Sequence, residues 1–141
     1  MLPPDSSPRC GSSLVKQALY AIELMSNIKE QLIEANDALS KEEYEKALSI
    51  LHPLVDEEVP GAIGMLGVMY QLGSGVPRNL TKAVELLTKA YELGDGTAAH
   101  NLGTIYAMGE EEIEKDHEKS KMYYRKAKEM GAQYAPDEFY E

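Results

Sequence analysis

The sequence predicts an all-α fold, an α-α superhelix (α-solenoid) of stacked antiparallel helix pairs with about six helices, and three observations carry that expectation. The segment AIGMLGVMYQLG at 62–73 returns 36 residues later as AAHNLGTIYAMG at 98–109, with Leu66, Gly67 and Tyr70 in register with Leu102, Gly103 and Tyr106. The stretch after each copy repeats too: TKAVELLTKAYELG at 81–94 matches EKSKMYYRKAKEMG at 118–131 at an offset of 37. One residue has therefore entered between Gly109 and Glu118, in a connecting loop where it disturbs no packed face. Going backwards, YEKALSIL at 44–51 matches LTKAVELL at 80–87, so a partial unit precedes the two full ones. A helical unit of this size cannot bury its apolar face alone, and the units must stack.

Each element has its own justification. Residues 1–13, rich in Pro, Ser and Gly, read as a flexible tail that holds Cys10 as an incidental exposed thiol. From Leu14 to about Leu39, apolar residues recur at helical spacing (Leu14, Ala18, Ala21, Ile22, Met25, Ile28, Leu32, Ala35), which predicts one long helix. Ser40 followed by Glu43 is a capping-box pattern and predicts a second helix through Leu51, with Pro53 bending or ending it. A third helix runs from Ala62 to Leu72 and closes at Gly73. Asn79 is the predicted N-cap of a fourth, Leu80 to Leu93, and residues 94–97 turn the chain into a fifth, Ala98 to Met108. Asp116 is the predicted cap of a sixth, which ends at Gly131. The domain reading is a single solenoid over 14–131: an atypical pair at 14–60, repeats at 61–96 and 97–131, and a cap or tail at 132–141.

Composition bounds the function. The 141 residues are 43% apolar and 27% charged, ordinary for one globular domain, but the formal net charge is −10. That charge argues against nucleic acid and against an anionic membrane surface; among partners it favours a basic protein or peptide, and an acidic surface that merely maintains solubility is the alternative reading. No run reaches transmembrane length and the start has no apolar signal-peptide core, so the expected localisation is cytoplasmic. A single cysteine excludes an internal disulfide.

The pattern A-x3-L-G-x2-Y-x2-G-x-G-V followed by K-A-x3-L-x2-A-x3-G-x3-A, spelled out from Ala62 to Ala98, resembles the Sel-one-like repeat, a relative of the tetratricopeptide repeat. The unit from Ala98 to Gly131 also fits, with Glu111 in place of the second loop glycine (Gly75 in the first unit), which predicts a looser loop. The resemblance implies a right-handed superhelix and a scaffold or adaptor role. The helix from Leu14 lacks the anchors and reads as a capping unit, which should show water a polar face.

The anchors have physical reasons of their own. Gly67 and Gly103 stand mid-helix, where glycine costs on the order of 1 kcal/mol, so close approach of a partner helix is the expected compensation, with Ala83, Ala90 and Ala127 small on the other side. Tyr70 and Tyr106 should bury their rings between units and leave their hydroxyls at the rim.

Catalytic patterns are wanting. Gly73-Ser74-Gly75 lacks the lysine and preceding strand of a phosphate loop, and His52, His100 and His117 stand singly without metal-ligand spacing. The loop 110–118 is rich in carboxylates but lacks EF-hand order, so it reads as solvated charge, with a metal-dependent or enzymatic role as the distant alternative. The expectation is no enzyme and no cofactor.

In stacked pairs the first helix lines the concave face, as the resemblance to tetratricopeptide arrays implies. If Leu66 and Leu102 face the core, the offsets around them place Gly64, Met65, Val68 and Gln71, then His100, Asn101, Thr104, Ala107 and Met108, toward the groove. Ile28, Leu32 and Asn36 of the first helix would complete it. Core packing is the alternative reading of Met65, Val68 and Met108. The expected function is a non-enzymatic protein-protein interaction module, an adaptor or scaffold that holds a protein or peptide in this groove. The resemblance also admits a bacterial immunity protein that occludes a cognate toxin. Incomplete caps would add weak self-association.

Overall fold

The computed structural model of the chain describes residues 10–110 and 112–132. Among these it contains six helices: α1 (Cys10–Ser40), α2 (Tyr44–Asp56), α3 (Pro60–Leu72), α4 (Leu80–Glu92), α5 (Gly96–Met108) and α6 (His117–Glu129). They stack as successive antiparallel pairs, α3 packing most closely on α4 and α5 on α6, while α1, α3 and α5 meet side by side. The described residues form no strand, only an isolated bridge between Glu110 and Ile113 in the last loop.

Two expectations about the N-terminal half are corrected. Residues 10–13 are not tail but the first turn of α1: once a helix is nucleated, adding a residue costs little, even for glycine and serine. Ser40 does not cap α2. It closes α1, its hydroxyl donating to the Asp37 carbonyl, and Glu42 takes a left-handed conformation so that the Glu43 N–H reaches the Ala38 carbonyl. Glu43 then stands at the N-cap of α2 without a side-chain bond, because the turn that ends α1 leaves no extended residue at Ser40. α2 runs through Pro53 to Asp56; the ring is exposed on the last turns while Leu51 and Leu54 are buried. The thiol of Cys10, Glu111 and residues 133–141 of the expected C-terminal cap lie outside the described residues and side chains.

The starts of α4 and α6 follow the sequence, whereas α3 and α5 each begin two residues before the expected Ala62 and Ala98, at Pro60 and Gly96. Asn79 accepts from the Lys82 N–H at 3.0 Å and Asp116 from the Lys119 N–H at 3.0 Å, matching caps of the two repeats. Tyr70 lies under the ammonium of Lys82 and Tyr106 under that of Lys119, 4.7 and 5.0 Å from the ring centres.

The core has two lobes that share α3. Leu66 and Met69 face Ala35, Leu51 and Leu54, while Ile63 faces Leu87, Leu102 and Ile105. α3 is therefore buried on both sides, which its nearly continuous apolar sequence requires. The mid-helix glycines are sites of close approach, but they receive large side chains rather than the alanines expected opposite them. A Cβ on Gly67 would stand 2.9 Å from Leu87 Cγ, and one on Gly103 would stand 2.9 Å from the Tyr124 ring. The Ser120 hydroxyl, buried beside this contact, donates to the Gly103 carbonyl at 2.8 Å.

The N-terminal end breaks the expectation of a polar cap. From Ser13 to Asn27 every residue of α1 is exposed, large apolar side chains among them; Ile28 is the first to be half-buried.

Candidate functional site

A cleft of about 280 Å³ opens between α1, α3 and the start of α5, lined by Asn36, Leu39, Met65, Val68, Asp95 and Asn101 with the backbone of Gly61 and Gly64. Three local choices build it. Leu32 leans over Gly61, where a Cβ would come within 3.1 Å of it, so α1 sits close to α3 and Asn36, one turn on, reaches the opening. Asp95 caps α5, its Oδ1 accepting from the Thr97 N–H at 3.1 Å. The other carboxylate oxygen then lies over Gly64, which has no side chain to obstruct it.

Burial dominates the electrostatics of Asp95. Loss of water pushes its carboxyl above the usual carboxylate range, and the backbone N–H groups of Thr97 and Ala98 offset this only in part. No cation among the described residues pairs with it. The cleft is thus an apolar slot floored by Met65 and Val68, with one half-buried carboxylate and two side-chain amides, those of Asn36 and Asn101, around it. It has the chemistry to accept a cationic side chain and to hydrogen-bond an extended backbone.

Gly64, Met65, Val68 and Asn101, expected together, are together, and Asn36 joins them. Gln71 and Met108 also meet, but in a second cleft of about 270 Å³ further along α3 and α5, lined with Leu72, Leu80, Ile105, Arg78 and Glu110. There Arg78 forms an ion pair with Glu110 and donates from Nε to the Gln71 carbonyl at 3.0 Å. Ile28 and Leu32 belong to the packing of α1 on the core.

His100 and Thr104 turn from the cleft toward α6. The His100 ring lies 5.3 Å from that of Tyr124, its Nδ1 is buried without a partner, and burial holds its pKa below the ordinary value. Thr104 Oγ1 shares a 3.0 Å hydrogen bond with the Tyr124 hydroxyl. The reason is rotation: on α5 these two residues share the side of Gly103, the glycine that admits Tyr124. Asp95, absent from the expected set, was legible as a turn residue; its place over Gly64 depends on how α3 and α5 pack.

The carboxylates of the 110–118 loop point to separate tasks. Glu110 pairs with Arg78, Glu112 accepts from the Thr81 hydroxyl at 2.9 Å, and Asp116 caps α6. Among the described residues no three metal-ligating side chains converge, and no helix is long and apolar enough to cross a membrane.

Comparison with known proteins agrees with this architecture. The Sel1 repeat family model matches residues 60–95 and 96–131. A Sel1 repeat protein from Oxalobacter formigenes is similar in structure, with 31% identity and a TM-score of 0.61 over 69% of this chain and 40% of that one. A protective antigen present in uropathogenic Escherichia coli strains, displaying an SLR fold, is similar with 23% identity and a TM-score of 0.62 over 76% of this chain and 24% of that one. The chain thus spans less than half the length of either protein. No curated protein matches it.

Proposed function

The chain belongs to the Sel1 repeat family, whose members are generally protein-protein interaction modules, and from that premise we propose that it is an adaptor that grips a basic protein segment in the cleft between α1, α3 and α5. The observation that carries the reading is Asp95: a half-buried carboxylate without a cation partner among the described residues, set at the edge of an apolar slot. A lysine or arginine of the partner would supply the missing charge, its aliphatic stem lying on Met65 and Val68. Asn36 and Asn101 would pair with the partner's backbone. Recognition is an equilibrium process on a preformed surface, with no chemical step.

Selection of a displayed library of random dodecapeptides tests this. The wild type should enrich peptides with a lysine or arginine flanked by apolar residues; Asp95→Asn should lose the preference for the cation and Val68→Glu should lose capture altogether. Capture of the same peptides by wild type and both variants would overturn the assignment. The net charge of −10 also favours a narrower form of the reading, an immunity protein that occludes a basic toxin. Tight one-to-one inhibition of a single basic enzyme, rather than modest binding to many peptides, would distinguish it.

A further inference from the structure

The first half of α1 projects beyond the rest of the domain. Between Ser13 and Asn27 it exposes seven large apolar side chains, including Leu14, Tyr20 and Met25 at 64%, 68% and 70% of their surface. The charged residues of that stretch are Lys16 and Glu23, and with Glu30 and Asp37 they recur every seventh position along one line of the helix. On the opposite line, Leu14, Ala18, Ala21, Met25, Ile28, Leu32, Ala35 and Leu39 alternate spacings of four and three. This is the seam of a coiled coil with its outermost position charged. The lower half of the seam packs into the core lobe that α2 and α3 complete. α2, with 13 residues, is about 20 Å long, and the upper half of the seam outruns it.

We propose that a second copy of this chain covers the upper seam, the two projecting arms pairing antiparallel about a two-fold axis between Leu19 and Tyr20. The seam is self-complementary about that point. Leu14 comes level with the partner's Met25 and Ala18 with the partner's Ala21, so large residues meet at the ends and small ones at the centre, where two helices approach most closely. The first turn of one arm reaches the level of the partner's Lys29, beside Ile28 where the packed domain begins, so the overlap uses the whole arm. Five of these large side chains lie in the seam (Leu14, Met25) or flank it (Val15, Ile22, Leu24). At roughly 100 Å² each they bury about 500 Å² per partner, below the ~800 Å² of a standard interface and suited to a weak, reversible dimer. Val15, Gln17, Ile22 and Leu24, which flank the seam, carry no charge. A basic partner would find nothing here to pair with, whereas a second copy meets no like charge despite the acidity of the whole chain.

Sedimentation equilibrium of the full chain tests the pairing, with a dimer expected at about 50 µM. Ala21→Glu, which sets a charge at the centre of the seam, should weaken association by about 100-fold or more, while Lys16→Glu on the outer line leaves it within about twofold. Circular dichroism should show Ala21→Glu melting with the domain intact, because Ala21 is exposed on α1. In a Cys10→Ser background, an Ala18→Cys chain mixed with an Ala21→Cys chain should form the mixed disulfide in preference to either homodimer. A monomer at all concentrations, a dimer indifferent to Ala21→Glu, or homodimeric cross-links as abundant as mixed ones would each overturn the proposal.

Discussion

Asp95 lays its carboxylate against α3 at Gly64, where any side chain would collide with Oδ2. The glycine and the cap are one device: Gly64 clears the space, and the Thr97 and Ala98 N–H groups hold the carboxylate in it. The cleft owes its anionic edge to that pair.

Gly64→Ala should separate these effects. Alanine improves helix propensity by about 1 kcal/mol, but its methyl group would collide with Asp95 Oδ2, displacing the carboxylate from its cap, which costs about 1 kcal/mol, and overpacking the space it fills, which costs about 1–3 kcal/mol. Urea unfolding should show net destabilisation of about 1–3 kcal/mol. An unchanged midpoint would mean that the contact is slack.

Asp95→Asn keeps the cap and removes the charge. Burial penalises the charged carboxylate and raises its pKa above the ordinary value of 3.8: the group's stabilising contribution is present below that value and lost as pH rises through the folded value. The asparagine variant should therefore equal or exceed the wild type in stability at pH 7, by about 0.5 kcal/mol, with the advantage vanishing in acid. Its affinity for lysine-containing peptides should fall about tenfold. Stability curves at pH 7 and pH 3, with titration calorimetry on a selected peptide, check both.

Gly103→Ala places a methyl group against the Tyr124 ring and should destabilise by about 1–3 kcal/mol despite alanine's better propensity. Shrinking the partner residue relieves the clash, so Gly103→Ala combined with Tyr124→Leu should cost less than the two single changes added. Strict additivity in a denaturation cycle would contradict the close approach.

His100 contributes a pH dependence of the opposite sense. Its folded pKa is depressed by burial, so it stabilises the fold above the ordinary value of 6.5 and loses that contribution as pH falls through 6.5 toward the folded value. At pH 5.5 the loss is bounded at about 1.4 kcal/mol. His100→Gln should flatten the difference in melting temperature between pH 7.5 and 5.5; an equal slope in both proteins would show the ring to be protonated without penalty.

Much of the architecture was readable because local chemistry and helical period agree. Asn79 and Asp116 cap where their side chains allow, and Leu66 with Leu102 marks the buried stripe. Ser40 misled because the same hydroxyl serves a helix end as readily as a helix start, and the choice depends on where Glu42 turns. Met65, Val68 and Asn101 were found by rotation from the buried leucines. His100 and Thr104 obey the same rotation but lie on the flank that α6 covers, and no count along α5 reveals a neighbour more than a dozen residues away.

The order of residues alone determined the repeat, its helices and their buried faces, since these follow from period, caps and glycines within each unit. Packing decided which exposed-looking positions share a cleft, that Leu87 and Tyr124 fill the spaces at Gly67 and Gly103, and that a turn aspartate becomes a half-buried charge. The reason is distance: a helix sets the direction of a side chain over a turn or two, whereas a site between helices depends on the separation and angle of elements joined by loops, quantities that only the assembled core fixes.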